Sequence, residues 1–549
     1  MADSFDYVII GAGSAGCILA NRLTADGKHS VCLLEAGPRD WHPYLHIPAG
    51  FIKTLTNPNV NWMYEAEPSH WTGGRAIGVP RGKTLGGSSS INGHIYNRGQ
   101  RMDFDNWAQR GNQGWGYADV LPYFRRCERR IGGGDDTFRG RNGNLTVTDL
   151  NYTHPLCEAF MQGAGELGIP RNADYNGAVQ EGISYVQRTA HNRRRVSTAR
   201  AFLNPAKSRP NLTVRTGAHA TRILLDGKRA TGVEYANGGR GGAIVQVHAN
   251  REVILSGGAI NSPQLLQLSG IGPGGLLQSL GIAIQHELAG VGENLRDHYA
   301  PRFSARVKNI ETINELARGY KFIGEVAKYF LGGKSIVNLS PSMVYGFWHS
   351  DPAARSNDLQ FIFTPASYKQ GVHGLLDDHP GFTVAAWQHR PQSKGWVRAR
   401  TADPFEKPII QPNYLADEGD RKVIVSAMKL ARRLMHTDAM KPYLDFEEYP
   451  GDQVQGDDEL LEAARDVAST TFHVMGTCRM GPAADPTAVV DDRLCVRGLE
   501  GLRVNDASVM PAMISANLNA ATMMIGEKGA DLVLGREPPD AIIVPELAS

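Results

Sequence analysis

The chain is short of paired cysteines, of long apolar runs and of charge imbalance, and each shortage excludes something. Its six cysteines (Cys17, Cys32, Cys127, Cys157, Cys478, Cys495) are scattered, with no CxxC pair and no dense spacing, so no disulfide scaffold is expected. Reduced thiols in a cytoplasm follow as the expectation. No stretch of about 18 apolar residues occurs and no basic segment followed by an apolar run opens the sequence, so neither a membrane span nor a cleaved leader is expected. With 58 Lys and Arg against 56 Asp and Glu, the formal net charge is +2, which leaves no electrostatic footprint for nucleic acid or an anionic surface. The expected partner is a small neutral or weakly charged molecule. No GxSxG elbow, HExxH helix or cluster with metal-ligand spacing is present, and no metal is expected.

What is present is an ordinary folded composition on a long chain. Hydrophobic residues make up 42% and charged residues 21%, and 62 glycines signal many turns and close backbone approaches. At 549 residues the chain exceeds one compact core, which predicts two lobes with room for a deep pocket between them. Phe5 to Ile10 reads as a buried parallel strand, Ser14 to Leu23 as a helix and Ser30 to Leu34 as a second strand, the opening of a Rossmann-type sheet. Trp41 to about Gly111 lacks periodicity and predicts functional loops. Turn signals at Asp226-Gly227 and Asn237-Gly238-Gly239 separate strands between 211 and 255. Further strands are predicted at Leu359–Phe363, Thr383–Trp387 and Gly395–Ala399, with helices over Arg421–Met435 and about Asn519 to Leu534.

Gly11-Ala12-Gly13-Ser14-Ala15-Gly16 sits between the first strand and the first helix. Its glycines permit a tight turn, close approach of a pyrophosphate and close helix packing, with the helix N-terminus facing the phosphates. Glu35 ends the second strand, where a carboxylate can accept from ribose hydroxyls and disfavours a 2′-phosphate. This reading supports a dinucleotide and leaves FAD and NAD both open.

Several longer motifs add to this. Gly82-Lys83-Thr84-Leu85-Gly86-Gly87-Ser88-Ser89-Ser90-Ile91-Asn92-Gly93 resembles the first signature of the glucose–methanol–choline (GMC) oxidoreductase family, and Gly258 to Leu266 continuing to Ser269-Gly270-Ile271-Gly272 resembles the second. Gly290 to Leu295, Asp105-Asn106-Trp107 with Gly114-Trp115-Gly116, Asp403-Pro404-Phe405 and Phe472 to Gly481 agree in order along the chain. The resemblance implies an α/β fold: a Rossmann-type FAD-binding domain, discontinuous over 1–155, 205–300 and 465–549, and a substrate-binding domain built on a β-sheet with flanking helices over 156–204 and 301–464. It implies FAD as cofactor, with Leu85, Gly86, Ser89, Asn92, Gly93, His94 and Ile95 along the flavin, Gly93 over the ring face, Ala220 at the adenosine half, and Asp506 and Ala507 near the pyrophosphate and ribityl chain; Asn519 is expected to touch the flavin. Ile91 stands where some members attach FAD through a histidine, so non-covalent FAD is expected.

Oxidising an alcohol needs a base at the hydroxyl and a hydride acceptor at the α-carbon. The resemblance places the active-site histidine at His473 and its partner at Asn517, whose amide can donate to the developing alkoxide. Asn519 is expected to cap the final helix and so leave Asn517 free for substrate. His94 and His389 are weaker candidates, and Arg193-Arg194-Arg195 reads as a solvated helix entry without a catalytic role. The function implied is oxidation of a primary or secondary alcohol, with oxygen or another acceptor taking the electrons. A non-redox FAD lyase of the same family, an NAD-dependent dehydrogenase and a flavin-containing binding protein stay open.

Overall fold

In a computed structural model residues 3–354, 356–369 and 374–544 are described. The apolar run at the start forms strand β1 (Asp3–Ile10), and the fingerprint turns it into helix α1 (Ser14–Leu23) and then strand β2 (Val31–Glu35). β1 pairs in parallel with β2 on one side and with the strand Ala243–Leu255 on the other. A central parallel strand is covered on both faces, which explains why Val8 and Ile9 are both fully buried rather than alternating. The whole sheet has seven strands: Leu212–Thr216, β2, β1, Ala243–Leu255, Arg229–Asn237 and Ala218–Asp226 in spatial order, with Leu502–Val504 also pairing with Ala243–Leu255. Asp226-Gly227 makes the predicted tight turn, with Gly227 at φ +55° joining two antiparallel strands.

A second sheet of six antiparallel strands runs in the order Leu444–Tyr449, Arg302–Val307, Gly381–Gln388, Leu359–Thr364, Val344–Trp348 and Gly182–Tyr185. The helix Glu418–Met435 packs against the Gly381–Gln388 strand, burying Ile424, Ala427, Met428, Ala431 and Leu434 at helical spacing. Each sheet has its own apolar core, as surface-to-volume scaling requires for a chain of this length. The predicted strand at Gly395–Ala399 forms over Gly395–Arg398, in a separate three-stranded sheet with Glu293–Leu295 and Ile409–Gln411.

Three local expectations are corrected. Residues Arg101–Gln109, inside the stretch predicted as loop, form a helix: the Asp103 side chain accepts from the Gln100 backbone N–H at 2.8 Å, and Phe104 and Trp107 are fully buried one turn apart. Arg194–Arg195 is a strand pairing with Ala190–His191, and Arg195 is buried, donating to Asn92 Oδ1 at 2.7 Å, so it is no solvated helix entry. The final helix, Leu518–Leu534, has Asn517 and not Asn519 at its N-cap position, although the Asn517 side chain makes no capping bond. Among the described residues no helix is long and apolar enough to cross a membrane, and all six cysteines are free.

Candidate active site

The fingerprint glycines divide the work expected of them. Gly11 has φ +98° and a Cβ there would lie 2.5 Å from Ser256 O, while a Cβ at Gly16 would lie 2.0 Å from Gly11 O. Those two allow the turn and the close packing of α1. Gly13 meets only Ser256 O, at 3.8 Å, and otherwise opens onto a cavity. That cavity, about 400 Å³, lies between the two sheets and is lined by both lobes. Gly11, Gly13, Ser14, Ala15, Glu35 and Ala220 line one end of it, Asp506, Ala507 and Asn519 also line it, and Asn92, Gly93, His94, Ile95, His473 and Asn517 border the rest.

Local hydrogen bonds explain how the loops reach this arrangement. Glu35 Oε2 accepts from the Ala12 N–H at 3.0 Å and Oε1 from the Gly37 N–H at 2.8 Å. Burial nevertheless pushes its carboxyl up to about 7. Asp506 ties its own turn to the helix Gly258–Leu268, accepting from Gly258 N–H at 2.8 Å, Ser262 Oγ at 2.6 Å and Ser508 N–H at 2.8 Å. Ser14 Oγ donates to Asn519 Oδ1 at 2.7 Å, so the first and last helices meet at the cavity.

Some residues expected along the flavin stand behind the lining instead. Leu85, Gly86 and Ser89 do not line the cavity, nor do Ala12 and Gly16. Gly86 N–H donates to Ala12 O at 2.7 Å and Ser89 Oγ to Gly86 O at 2.6 Å, which clamps the Gly-Gly-Ser-Ser loop onto the fingerprint turn. Gly87, Ser88 and Ile91 face the cavity in their place. Gly93 lines it, but a Cβ there would first strike Pro341 Cγ at 2.5 Å, so packing against Pro341 already requires a glycine.

The other end carries the titratable groups. His473 Nε2 lies 3.0 Å from Asn517 Nδ2, which is also 3.3 Å from the Tyr345 hydroxyl. Its Nδ1 lies 2.9 Å from Nδ1 of His298 and 2.8 Å from Thr471 Oγ1. His298 Nε2 lies 2.7 Å from the His389 carbonyl oxygen. A carbonyl only accepts, so the neutral His298 ring carries its proton on Nε2 and leaves Nδ1 as an acceptor. His473 must then donate from Nδ1, and its Nε2 lone pair points toward Asn517. Asp297 holds both histidines by their backbones, accepting from His473 N–H at 2.7 Å and His298 N–H at 2.9 Å. Tyr414 and Thr470 hydroxyls donate to its other oxygen.

Burial, then the neighbouring His298 ring and the positive Arg81, holds His473 well below the ordinary histidine range; burial takes His298 down to about 4. Both are therefore neutral near pH 7. His94 lies buried on the cavity wall, 3.1 Å from Ser340 Oγ through Nδ1, and is likewise held neutral by burial and by Arg195 and Arg188. His389 does not line the cavity and serves His298 through its carbonyl. His298, Asp297 and Thr471 had no part in the sequence reading, which stopped at Leu295, two residues short. The fold also gathers Asp377, His379 and Glu448, and separately His436, Glu447 and Asp452, within ligating reach, which spacing did not show. None of these lines the cavity, and Glu447 is already ion-paired with Arg432 at 2.7 Å.

Parallel strands around β1 with a glycine turn at a helix N-terminus, opening onto a cavity that ends in a neutral histidine and an amide, define a dinucleotide-dependent oxidoreductase. The chain belongs to the GMC oxidoreductase family: one family model of that description matches residues 5–300 and a second residues 391–526. It is 40% identical over 547 residues to a protein named choline dehydrogenase, mitochondrial, of Homo sapiens (97% of this chain, 90% of the relative). With alcohol dehydrogenase [acceptor] of Pseudomonas putida it shares 39% over 534 residues, 96% of each chain. Among solved structures, pyridoxine 4-oxidase from Mesorbium loti superposes with a TM-score of 0.86 at 29% identity, covering 98% of this chain and all of that one. The cofactor is FAD, and the enzyme acts on CH–OH donors. That settles the choice between FAD and NAD. The residues present fit the group: the cavity passes the N-terminus of α1 and is open where Gly13 lacks a side chain.

Proposed function

We propose that the enzyme oxidises a primary or secondary alcohol with His473 as the base and Asn517 as the donor to the alcohol oxygen. The observation that carries this is the fixed Nε2 lone pair of His473, held by His298 through Nδ1 and directed at Asn517 on the cavity wall. An alcohol oxygen that takes over the Asn517 Nδ2–H donation now made to His473 Nε2 leaves its own proton facing the freed Nε2 lone pair. Because burial keeps His473 neutral, the base is ready near pH 7. Bound FAD supplies the hydride acceptor. Asn517 Oδ1 is buried and has no partner among the described residues, and substrate groups can meet it.

In the same reading, Glu35, Ala220, Gly11 to Ala15, Asp506 and Ala507 hold the nucleotide and ribityl portions, and Asn92 to Ile95 and Asn519 border the flavin. The FAD lobe comprises 1–155, 205–300 and 465–549, and the substrate lobe 156–204 and 301–464. FAD is held without a covalent bond, since Ile91 offers no nucleophile on the cavity wall. Anaerobic stopped-flow reduction of FAD by a panel of alcohols tests the reading. His473→Ala is expected to slow reduction about 10²–10⁴-fold and Asn517→Ala about 10²–10³-fold, with FAD retained. Near-wild-type reduction by His473→Ala would transfer the role of base to His94.

A further inference from the structure

The substrate end of the cavity is short of acid and has one cation too many. Among the described residues the cavity lining includes only two carboxylates, Glu35 and Asp506, both already bonded to backbone N–H groups near the nucleotide end. Arg81 is accounted for: it donates to the carbonyls of Pro80 and Phe472 at 2.6 Å each and faces Asp297. Arg302 is not. It lines the cavity, and among the described residues it has no carboxylate or hydrogen-bond acceptor; its one electrostatic neighbour is the Tyr368 hydroxyl. Arg302 is half-buried on the cavity wall, where an unpaired guanidinium offers its fork to an anion.

Register shows where it stands. Tyr345 pairs with Ile362, Ile362 with Ala385, and Ala385 with Arg302, so these four side chains form one row across the six-stranded sheet, and all four line the cavity. Three strand spacings put the backbones of Tyr345 and Arg302 about 14 Å apart. At one end of the row the Tyr345 hydroxyl touches Asn517; at the other is the free cation; the floor between is apolar Ile362 and Ala385. Two residues along the Ala385 strand, Trp387 also lines the cavity, and its buried indole N–H has no acceptor among the described residues. On this sheet the Arg302 guanidinium and the Trp387 N–H are unmet donors lining the cavity among the described residues.

Resting on the alcohol-oxidising reading above, we infer that the natural substrate is an ω-hydroxy acid: its hydroxyl lies at His473 and Asn517, its carbon chain runs over Ile362 and Ala385, and its carboxylate pairs with Arg302. A quaternary ammonium alcohol, the substrate in the names of the choline dehydrogenase relatives, would meet a fixed positive charge and no carboxylate. Arg302 is thus a specificity residue, since its fork matches a carboxylate and it does not touch the reacting carbon.

The test compares 6-hydroxyhexanoate, its neutral methyl ester, 1-hexanol and a 6-hydroxyhexyl trimethylammonium salt as reductants of the anaerobic holoenzyme. The acid is expected to exceed the ester and hexanol about a hundredfold in kcat/KM, with the ammonium salt poorest. Arg302→Met should collapse the acid-to-ester ratio toward one, and Arg302→Lys should restore part of it. A preference for the ester or the ammonium salt, or a ratio unchanged in Arg302→Met, overturns the inference. If no alcohol reduces the enzyme, the alcohol reading fails, and calorimetric titration of hexanoate into the holoenzyme still decides the anion site. Hexanoate binding lost in Arg302→Met supports it, and equal binding by both proteins, or none by either, overturns it.

Discussion

Replacing His298 by leucine tests whether a residue that never touches the alcohol sets the protonation of one that does. His473 Nδ1 has two neighbours, His298 Nδ1 at 2.9 Å and Thr471 Oγ1 at 2.8 Å. Only the first is an obligate acceptor, because the other nitrogen of His298 is committed to a carbonyl. Thr471 can either accept or donate, and its hydroxyl also reaches the His298 carbonyl oxygen at 3.3 Å. Without the His298 ring, the Thr471 hydroxyl is free to donate to Nδ1 and so favour the tautomer with the proton on Nε2, which cannot take a proton from the alcohol. One lost bond of this kind, worth about 1–3 kcal/mol, corresponds to roughly 10–100-fold fewer productive molecules. His298→Leu should therefore slow anaerobic FAD reduction about 10–100-fold with FAD content unchanged. Adding Thr471→Val removes the competing donor and should recover part of that loss, whereas two merely structural lesions would compound. Wild-type reduction by His298→Leu, or a double variant slower than the product of the singles, would refute the tautomer argument.

Gly13→Ala meets no protein atom closer than 3.8 Å, so the fold should persist while FAD content falls sharply; absorbance at purification and thermal unfolding of the FAD-free protein read the two separately. Acid precipitation should release the yellow colour into the supernatant, and colour retained in the pellet would contradict non-covalent binding beside Ile91. In wild type, FAD reduction should stay level as pH is lowered from neutrality to below 6.5, because burial holds His473 well below that ordinary value; loss of rate between pH 7 and 6.5 would assign the base elsewhere. Glu35 has a folded pKa raised from 4.5 to about 7, so the FAD-free protein should lose stability as pH rises between those values, by at most about 3 kcal/mol, and be flat above. Glu35→Gln should abolish that slope in unfolding curves, and FAD affinity should increase through the same window in wild type but not in the variant.

The nucleotide end of this molecule was legible in its sequence because each element there is local. A strand, a glycine turn and a helix occupy consecutive residues, and Glu35 follows at the end of the next strand, so β1, α1 and β2 fall within a residue or two of where the pattern puts them. The helix at Arg101–Gln109 was not legible: its buried face is Asp103, Phe104 and Trp107, too few positions to give a period among glycine-rich neighbours. The Gly82–Gly93 loop was legible as a motif but not as geometry. Sequence cannot tell which of Leu85, Gly86, Gly87, Ser88 and Ser89 turns inward when the chain passes through Gly86 and Gly87 at φ +87° and +52°.

The substrate end was hidden for a different reason. Arg302, Tyr345, Ile362 and Ala385 are far apart in sequence and become neighbours only through strand register, where a shift of one residue would turn every one of them away from the cavity. His298 and His473 come from two segments that meet at the backbone pairs Tyr299 with Thr470 and Ala300 with Ser469. The apposition therefore depends on that short bridge as much as on the histidines themselves. Motifs thus mark the chemistry common to the family, because a cofactor-binding turn must be contiguous. Selectivity among alcohols is written across the sheet, one residue per strand, so a single substitution such as Arg302→Met can change the preferred charge of the substrate while leaving every motif intact.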